Sequence, residues 1–302
     1  MSTAAEPRPA ALPLPGGRDG ATVTLNPLLV ARMVAPPALF HREEGRLATL
    51  KAHGFRVPRD QWLEIPAVAF LVEHPGAGPL LIDTGFHPSV AVEPRQALGR
   101  LGGLHFKDVR MEPDQAVSAQ LRERGIATHE IRVVVMTHLH SDHASGIADY
   151  PESTFVVSVA EWAAASSGGP LRAGYIRRQF DHAFDWRTLD FEGSEADSFA
   201  TFGRSFDLLG DGSVRLVYTP GHSAGHLSVV LRLRGREALV AGDAIYTLRT
   251  LRESRLPHAM ADEHLFRRSL REIQLYEKET PGALIVAGHD MEQWRTLEAR
   301  YE

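Results

Sequence analysis

The sequence predicts an α/β fold of two mixed sheets packed face to face, with helices outside. Three observations carry this. Short apolar, β-branched runs such as IRVVV (131–135) and ALIVAG (283–288) occur in both halves of the chain, and runs of that kind bounded by polar loops read as buried strands. Helical periodicity also appears in both halves, over residues 113–125 and 262–279. Strand ends repeatedly carry His or Asp, which gathers the polar loops at one edge of a layered core.

The elements follow in order. The opening MSTAAEPRPAALPLPGGRDG is rich in Pro, Ala and Gly and lacks the basic start and apolar core of a signal peptide. It predicts a flexible tail over residues 1–20, ahead of a single domain over 21–302. ATVTLNPLLVARMV alternates and enters the fold as a strand. Residues 35–60 mix paired prolines, charges and the bulky Leu39, Phe40, Leu47 and Phe55, the pattern of an irregular cap. EIPAVAFLVEH and PLLIDTG predict two strands joined at PGAGP, the second ending at Asp83-Thr84-Gly85. In PDQAVSAQLRERG, Pro113 opens a helix and Gly125 stops it.

IRVVV then runs straight into MTHLHSDHASG, followed by the strand TFVVSV and a short helix through Trp162. Residues 168–211 are poorly patterned but hold Tyr175, Phe180, Phe184 and Trp186, which predicts an insertion or cap contributing a substrate wall. RLVYTPGH, SVVLRL and EALVAGD are three more strands. The helix DEHLFRRSLREIQLYEKE and the strand ALIVAGHD complete the pattern.

Composition excludes several function classes. The 302 residues contain no cysteine, which removes disulfides, thiolate nucleophiles and any metal site needing sulfur. That is compatible with a reducing cytoplasm, the compartment expected. A net charge of −5 and a pI near 6.3 give no electrostatic footprint for nucleic acid. No run approaches the roughly 18 apolar residues of a membrane span.

Four strand-to-loop junctions carry the same chemistry. They are THLHSDH (His138, His140, Asp142, His143), TPGHSAGH (His222, His226), AGDAIY (Asp243, Tyr246) and AGHD (His289, Asp290). Imidazole and carboxylate are ligands for zinc and similar divalent metals. His138 and His140, two apart in extended backbone, face one side, and Asp142 and His143 follow after a turn. Five histidines and two aspartates exceed the needs of one tetrahedral ion. They suit two ions about 3.5–4 Å apart sharing a carboxylate and a bridging hydroxide.

His138-Leu139-His140-Ser141-Asp142-His143 matches the HxHxDH signature of the metallo-β-lactamase superfamily at every fixed position. The later His, Asp and His follow in that family's order, so the chain resembles it from about Thr22 onward. The resemblance implies an αββα sandwich with a dinuclear site at the edge between the sheets. His138, His140 and His222 would hold the first metal and Asp142, His143 and His289 the second, with Asp243 bridging. Asp83 of LIDTG would lie behind the ligands, as would His226.

TPGHSAGH, the Asp243–Tyr246 spacing and GHDxEQ narrow the resemblance to the N-acyl-homoserine lactone lactonases. It then implies two divalent cations per chain, zinc first, with iron, cobalt or manganese as alternatives. It also implies bridging-hydroxide attack on a small-molecule lactone, Tyr246 hydrogen-bonding the substrate oxygen, Asp142 returning a proton to the leaving alkoxide, and a role in quorum quenching. A homodimer is the assembly considered. Thioester hydrolases of the glyoxalase II type and organophosphate hydrolases are the alternatives on the same site.

Overall fold

The computed structural model describes residues 4–105, 108–167 and 174–302. The start of the 168–211 segment lies outside the described residues.

Two sheets form the centre. The first has seven strands, in the spatial order β1 (Arg8–Pro9), β7 (Asp185–Leu189), β6 (Thr154–Ser158), β5 (Val133–Val135), β4 (Gly78–Ile82), β3 (Leu63–His74) and β2 (Thr24–Ala35). The second has six: β13 (Leu284–Val286), β12 (Glu237–Val240), β11 (Leu227–Arg232), β10 (Val214–Tyr218), β9 (Phe202–Asp207) and β8 (Asp197–Phe199). Both are mixed. β4, β5, β6 and β7 run parallel, as do β12 and β13, while β2–β3–β4 and β8 through β12 pair antiparallel.

Alternation along the strands fixes the layers, because successive side chains on a strand point to opposite faces. Val133 and Val135 enter an apolar layer shared with Leu216, Val229, Leu231 and Val240 of the second sheet, whereas Val134 turns to the outer layer with Leu81, Phe155 and Trp186. Val230 and Leu239 turn the other way, toward Phe266, Leu270, Ile273 and Tyr276 of the helix Glu263–Glu279. Those four buried residues recur at the three-to-four spacing of an amphipathic helix, and Asp262 caps its start by accepting from the Leu265 N–H at 2.9 Å. Three apolar layers between four structural layers make the αββα sandwich.

Parallel pairing then positions the site. β4 and β5 end in register at Ile82 and Val135, and β12 and β13 at Val240 and Val286. Each pair therefore delivers its following loops, 83–85 with 136–143 and 241–246 with 287–290, to the same edge, the end of parallel strands where ligands gather. The β10–β11 turn brings His222 there as well.

Three sequence-based expectations are corrected. Residues 4–20 dock instead of forming a flexible tail. β1 pairs with β7, the Ala5 N–H donates to Asp181 at 2.8 Å, and the Leu14 N–H donates to the Leu208 carbonyl at 2.8 Å. Extended Pro-rich backbone has few bonds of its own to make and finds them singly on the body, which leaves no periodic signal. The 168–211 segment is no insertion, since it supplies β7, β8 and β9 to the two sheets, and Phe180 and Trp186 are core. The helix over 113–125 is shorter and split, into a 3₁₀ turn Pro113–Gln115 and a helix Val117–Glu123.

Candidate metal centre

Three imidazole nitrogens converge on one point. His222 Nε2 lies 3.2 Å from His138 Nε2 and 2.9 Å from His140 Nδ1. Beside them stands Asp243, with Oδ2 3.3 Å from His222 Nε2, 3.2 Å from His289 Nε2 and 4.0 Å from His138 Nε2. Its other oxygen faces His143 Nε2 at 3.4 Å. Asp142 Oδ2 is 3.5 Å from His289 Nε2 and 3.8 Å from His143 Nε2. All seven residues singled out as ligands thus lie in one cluster, and the carboxylate of Asp243 sits between its two halves.

The donor set fits two cations. Among the described residues, His138, His140 and His222 form one group able to hold an ion, and Asp142, His143 and His289 another, while Asp243 joins His138 and His143 in a third. His143 Nε2 and Asp243 Oδ1 are buried with no hydrogen-bond partner, a costly arrangement for polar atoms unless something else satisfies them. The tautomers agree. Thr137 Oγ1 donates to Asp83 Oδ2 at 2.7 Å and so accepts from His138 Nδ1 at 3.0 Å. His143 Nδ1 donates to Asp83 at 2.8 Å, and His289 Nδ1 to the Pro66 carbonyl at 2.9 Å. Each leaves an Nε2 lone pair aimed into the cluster, the arrangement found behind metal-bound imidazoles.

Electrostatics set the two half-sites apart: the imidazoles of the first favour the neutral form, whereas the carboxylates of the second favour a proton that a cation would displace. Burial, reinforced by the neighbouring imidazoles, holds His138 well below the usual histidine range, and burial does the same to His222 despite Asp243. Burial also opposes charge on His143, but Asp142, Asp243 and Asp83 outweigh it and raise this imidazole well above its usual range. Asp243 is held well below the carboxylate range, because His289, His222 and His143 outweigh its burial. The carboxylates concentrate negative potential around the second half-site.

Other predicted residues stand just behind the ligands. His226 accepts from the Asp243 N–H at 3.0 Å through Nε2, which fixes the backbone of the bridging carboxylate and takes the imidazole out of ligation. Burial pushes it down to about 3. Asp83 links Thr137 and His143 from a left-handed conformation (φ 59°) at the end of β4, one that Asp tolerates better than most residues. Asp290 accepts from the Leu248 N–H at 2.8 Å and the Gln293 N–H at 2.9 Å, tying the His289 loop to the segment after Tyr246. The Tyr246 hydroxyl meets His222 Nδ1 at 2.9 Å. Burial, with Asp243 and Asp142, raises this phenol well above its usual range, so it stays protonated.

Sequence reasoning named Phe40 and Tyr175 only as cap or wall residues, and missed Glu161. Phe40 of the cap lies 5.1 Å from the Tyr246 ring and 5.8 Å from His289, centroid to centroid. His41, also in the 35–60 cap, bonds Thr247 at 2.9 Å. Tyr175 packs on His140 with centroids 4.7 Å apart, and buried Glu161 bonds the loops on either side. Thr137, which links His138 to Asp83, lies inside the THLHSDH run.

The family model described as metallo-beta-lactamase superfamily matches residues 63–289. The N-acyl homoserine lactonase AttM of Rhizobium radiobacter is 33% identical over 234 residues, 76% of this chain and 84% of the relative. A probable metallo-hydrolase of Mycobacterium tuberculosis is 33% identical over 226 residues, 70% of this chain and 71% of its own. Among solved structures, a mutant of Bacillus thuringiensis AiiA with N-decanoyl-L-homoserine bound at its active site superposes with a TM-score of 0.72 at 21% identity, covering 92% of this chain and 97% of that one. That last likeness is one of fold. With its signature residues converging as described, its αββα layers and a family model spanning most of its length, the chain belongs to the metallo-beta-lactamase superfamily.

Proposed function

We propose that this protein is a dinuclear metal-dependent hydrolase that opens the lactone ring of N-acyl homoserine lactones, and thereby quenches quorum signals. The observation that carries the reading is the placement of a protonated phenol, Tyr246, against the edge of a seven-ligand His/Asp cluster. Curated relatives at one-third identity bear the name N-acyl homoserine lactonase, which supports the substrate class.

His138, His140 and His222 would hold one cation and Asp142, His143 and His289 the other, with Asp243 between them. Two divalent cations held there, zinc first, would supply a water acidic enough to be hydroxide at neutral pH and a Lewis acid for the lactone carbonyl. The chain's own residues do the rest. Tyr246 donates a hydrogen bond to substrate oxygen as charge develops there. Asp142, beside His143 and His289, takes up a proton and returns it to the ring oxygen as the C–O bond breaks. Phe40, packed on Tyr246 and His289, keeps that side of the cluster dry. Leu47, Leu50 and Phe55 of the cap are each between 43% and 47% exposed and supply apolar surface for an acyl chain.

The test is acid release, followed by pH-stat, from a C4-to-C12 series of N-acyl homoserine lactones by metal-loaded protein, with a chelated control. Chelator-sensitive release supports the reading. No release, with two metals per chain verified by elemental analysis, would move the substrate to thioesters or phosphotriesters.

A further inference from the structure

The most constrained group outside the ligand set is Glu161, on the helix Val159–Ser166 behind the three-histidine half-site. It is fully buried, and among the described residues no Lys or Arg pairs with it. Four donors satisfy its carboxylate instead. Oε1 accepts from the Leu139 N–H at 3.0 Å and the Tyr175 hydroxyl at 2.9 Å. Oε2 accepts from the Ser223 hydroxyl at 2.6 Å and the Gly225 N–H at 3.1 Å. Leu139 lies between His138 and His140, Ser223 follows His222, and Gly225 precedes His226. Tyr175 packs on His140, whose loop also receives the Gly174 carbonyl through the Ser141 N–H at 3.1 Å.

Every donor therefore comes from a segment that carries or covers a ligand of one half-site. The approach is close. A Cβ on Gly225 would stand 2.1 Å from both Glu161 N and Ser158 Oγ, so only glycine lets that loop reach the carboxylate.

We propose that Glu161 is a positioning residue that holds the His138–His140 loop and the His222–His226 loop at the separation the first metal requires. This rests on reading the three histidines as a metal site. A carboxylate can serve both loops because each of its oxygens is an acceptor; an amide cannot. In Glu161→Gln the Tyr175 or Ser223 hydroxyl can turn to accept from the new NH₂, but a backbone N–H cannot. Whichever way the amide faces, Leu139 or Gly225 is left donor against donor, and one ligand loop is released.

The experiment is a cobalt(II) titration of the metal-free protein, read by visible absorption and chelator competition, beside thermal unfolding of the same metal-free samples. Glu161→Gln should weaken binding of the first cobalt by about 10- to 100-fold, the range for groups that orient metal ligands, and alter its absorption bands. Tyr175→Phe and Ser223→Ala, which each remove one donor and keep the charge, should each weaken it less, and they carry the test if Glu161→Gln does not fold. A lower unfolding temperature with wild-type cobalt affinity and spectrum would overturn the proposal, leaving Glu161 a fold residue. Wild-type protein that binds no cobalt would instead overturn the metal reading itself, and this proposal with it.

Discussion

The phenol oxygen of Tyr246 lies 2.9 Å from His222 Nδ1, and the tautomer of that imidazole decides what the phenol can do. His222 Nε2 points at His138 and His140, so with its lone pair given to a cation the proton resides on Nδ1. Nδ1–H then donates to the phenol oxygen, and the phenol O–H is free to point at substrate. Tyr246→Phe should keep full metal content and lose about 1–3 kcal/mol of transition-state stabilisation, roughly 5- to 150-fold in kcat/KM. Steady-state kinetics with elemental analysis checks this. An unchanged kcat/KM would reduce Tyr246 to a packing partner of Phe40.

Asp142 plays a different part, because its carboxylate stands 3.5 Å from His289 Nε2 and 3.8 Å from His143 Nε2. An amide there keeps a ligating oxygen but cannot carry a proton. Asp142→Asn should therefore lower kcat by about 10²–10⁴-fold while KM changes little. Turnover at the wild-type rate with metal retained would rule out Asp142 as the proton donor.

Behind the second half-site, Asp83 fixes the tautomer of His143. Asp83→Asn preserves the left-handed backbone that Asp83 adopts (φ 59°), which Asn also tolerates. With its oxygen kept on the Thr137 N–H, the amide turns its NH₂ toward both Thr137 Oγ1, a hydroxyl that can rotate to accept, and His143 Nδ1. The imidazole then moves its proton to Nε2, where the lone pair is needed. Affinity for the second cation should fall about 10- to 100-fold, seen as loss of one metal per chain under chelator competition. Two metals held as tightly as in wild type would detach Asp83 from the site.

The ligands were legible because each ends an apolar strand, and strand ends in parallel register must meet. Layer order followed from the same runs. What stayed hidden was whatever acts across the sequence rather than along it. Glu161 stands three residues after Ser158, the spacing of a helix capping pair, and Ser158 does accept from the Glu161 N–H at 3.0 Å. That local role masks a side chain turned toward two distant loops. β8 is short and mostly exposed, and β9 buries Phe202, Ser205 and Phe206 out of strict alternation, so residues 197–207 give little period-two signal. The docked N-terminal segment is held by bonds too irregular to leave a period.

That segment yields the last prediction. Asp211 Oδ2 accepts from the Arg18 N–H at 2.7 Å and from His74 Nε2 at 2.9 Å, and Oδ1 accepts from the Ser213 N–H at 2.9 Å. His74 Nδ1 accepts from the Gly76 and Ala77 N–H groups, so its proton is on Nε2 and the ring is a neutral donor. Burial works against charge on Asp211, but Ser213, the Arg18 amide and His74 outweigh it and hold the carboxyl at about 2. A carboxyl depressed in the folded state contributes stability that is fully present above its unfolded value, near 4, and lost as pH falls from there toward 2. The shift corresponds to about 2 kcal/mol. In chelated, metal-free protein, urea unfolding of Asp211→Asn should show that deficit at pH 7, and the gap to wild type should narrow as pH falls below 4. Residues 4–20 should also become cleavable by protease at neutral pH. Stability curves that stay parallel down to pH 3 would remove Asp211 from the acid response and leave the docking of this segment to its backbone pairing alone.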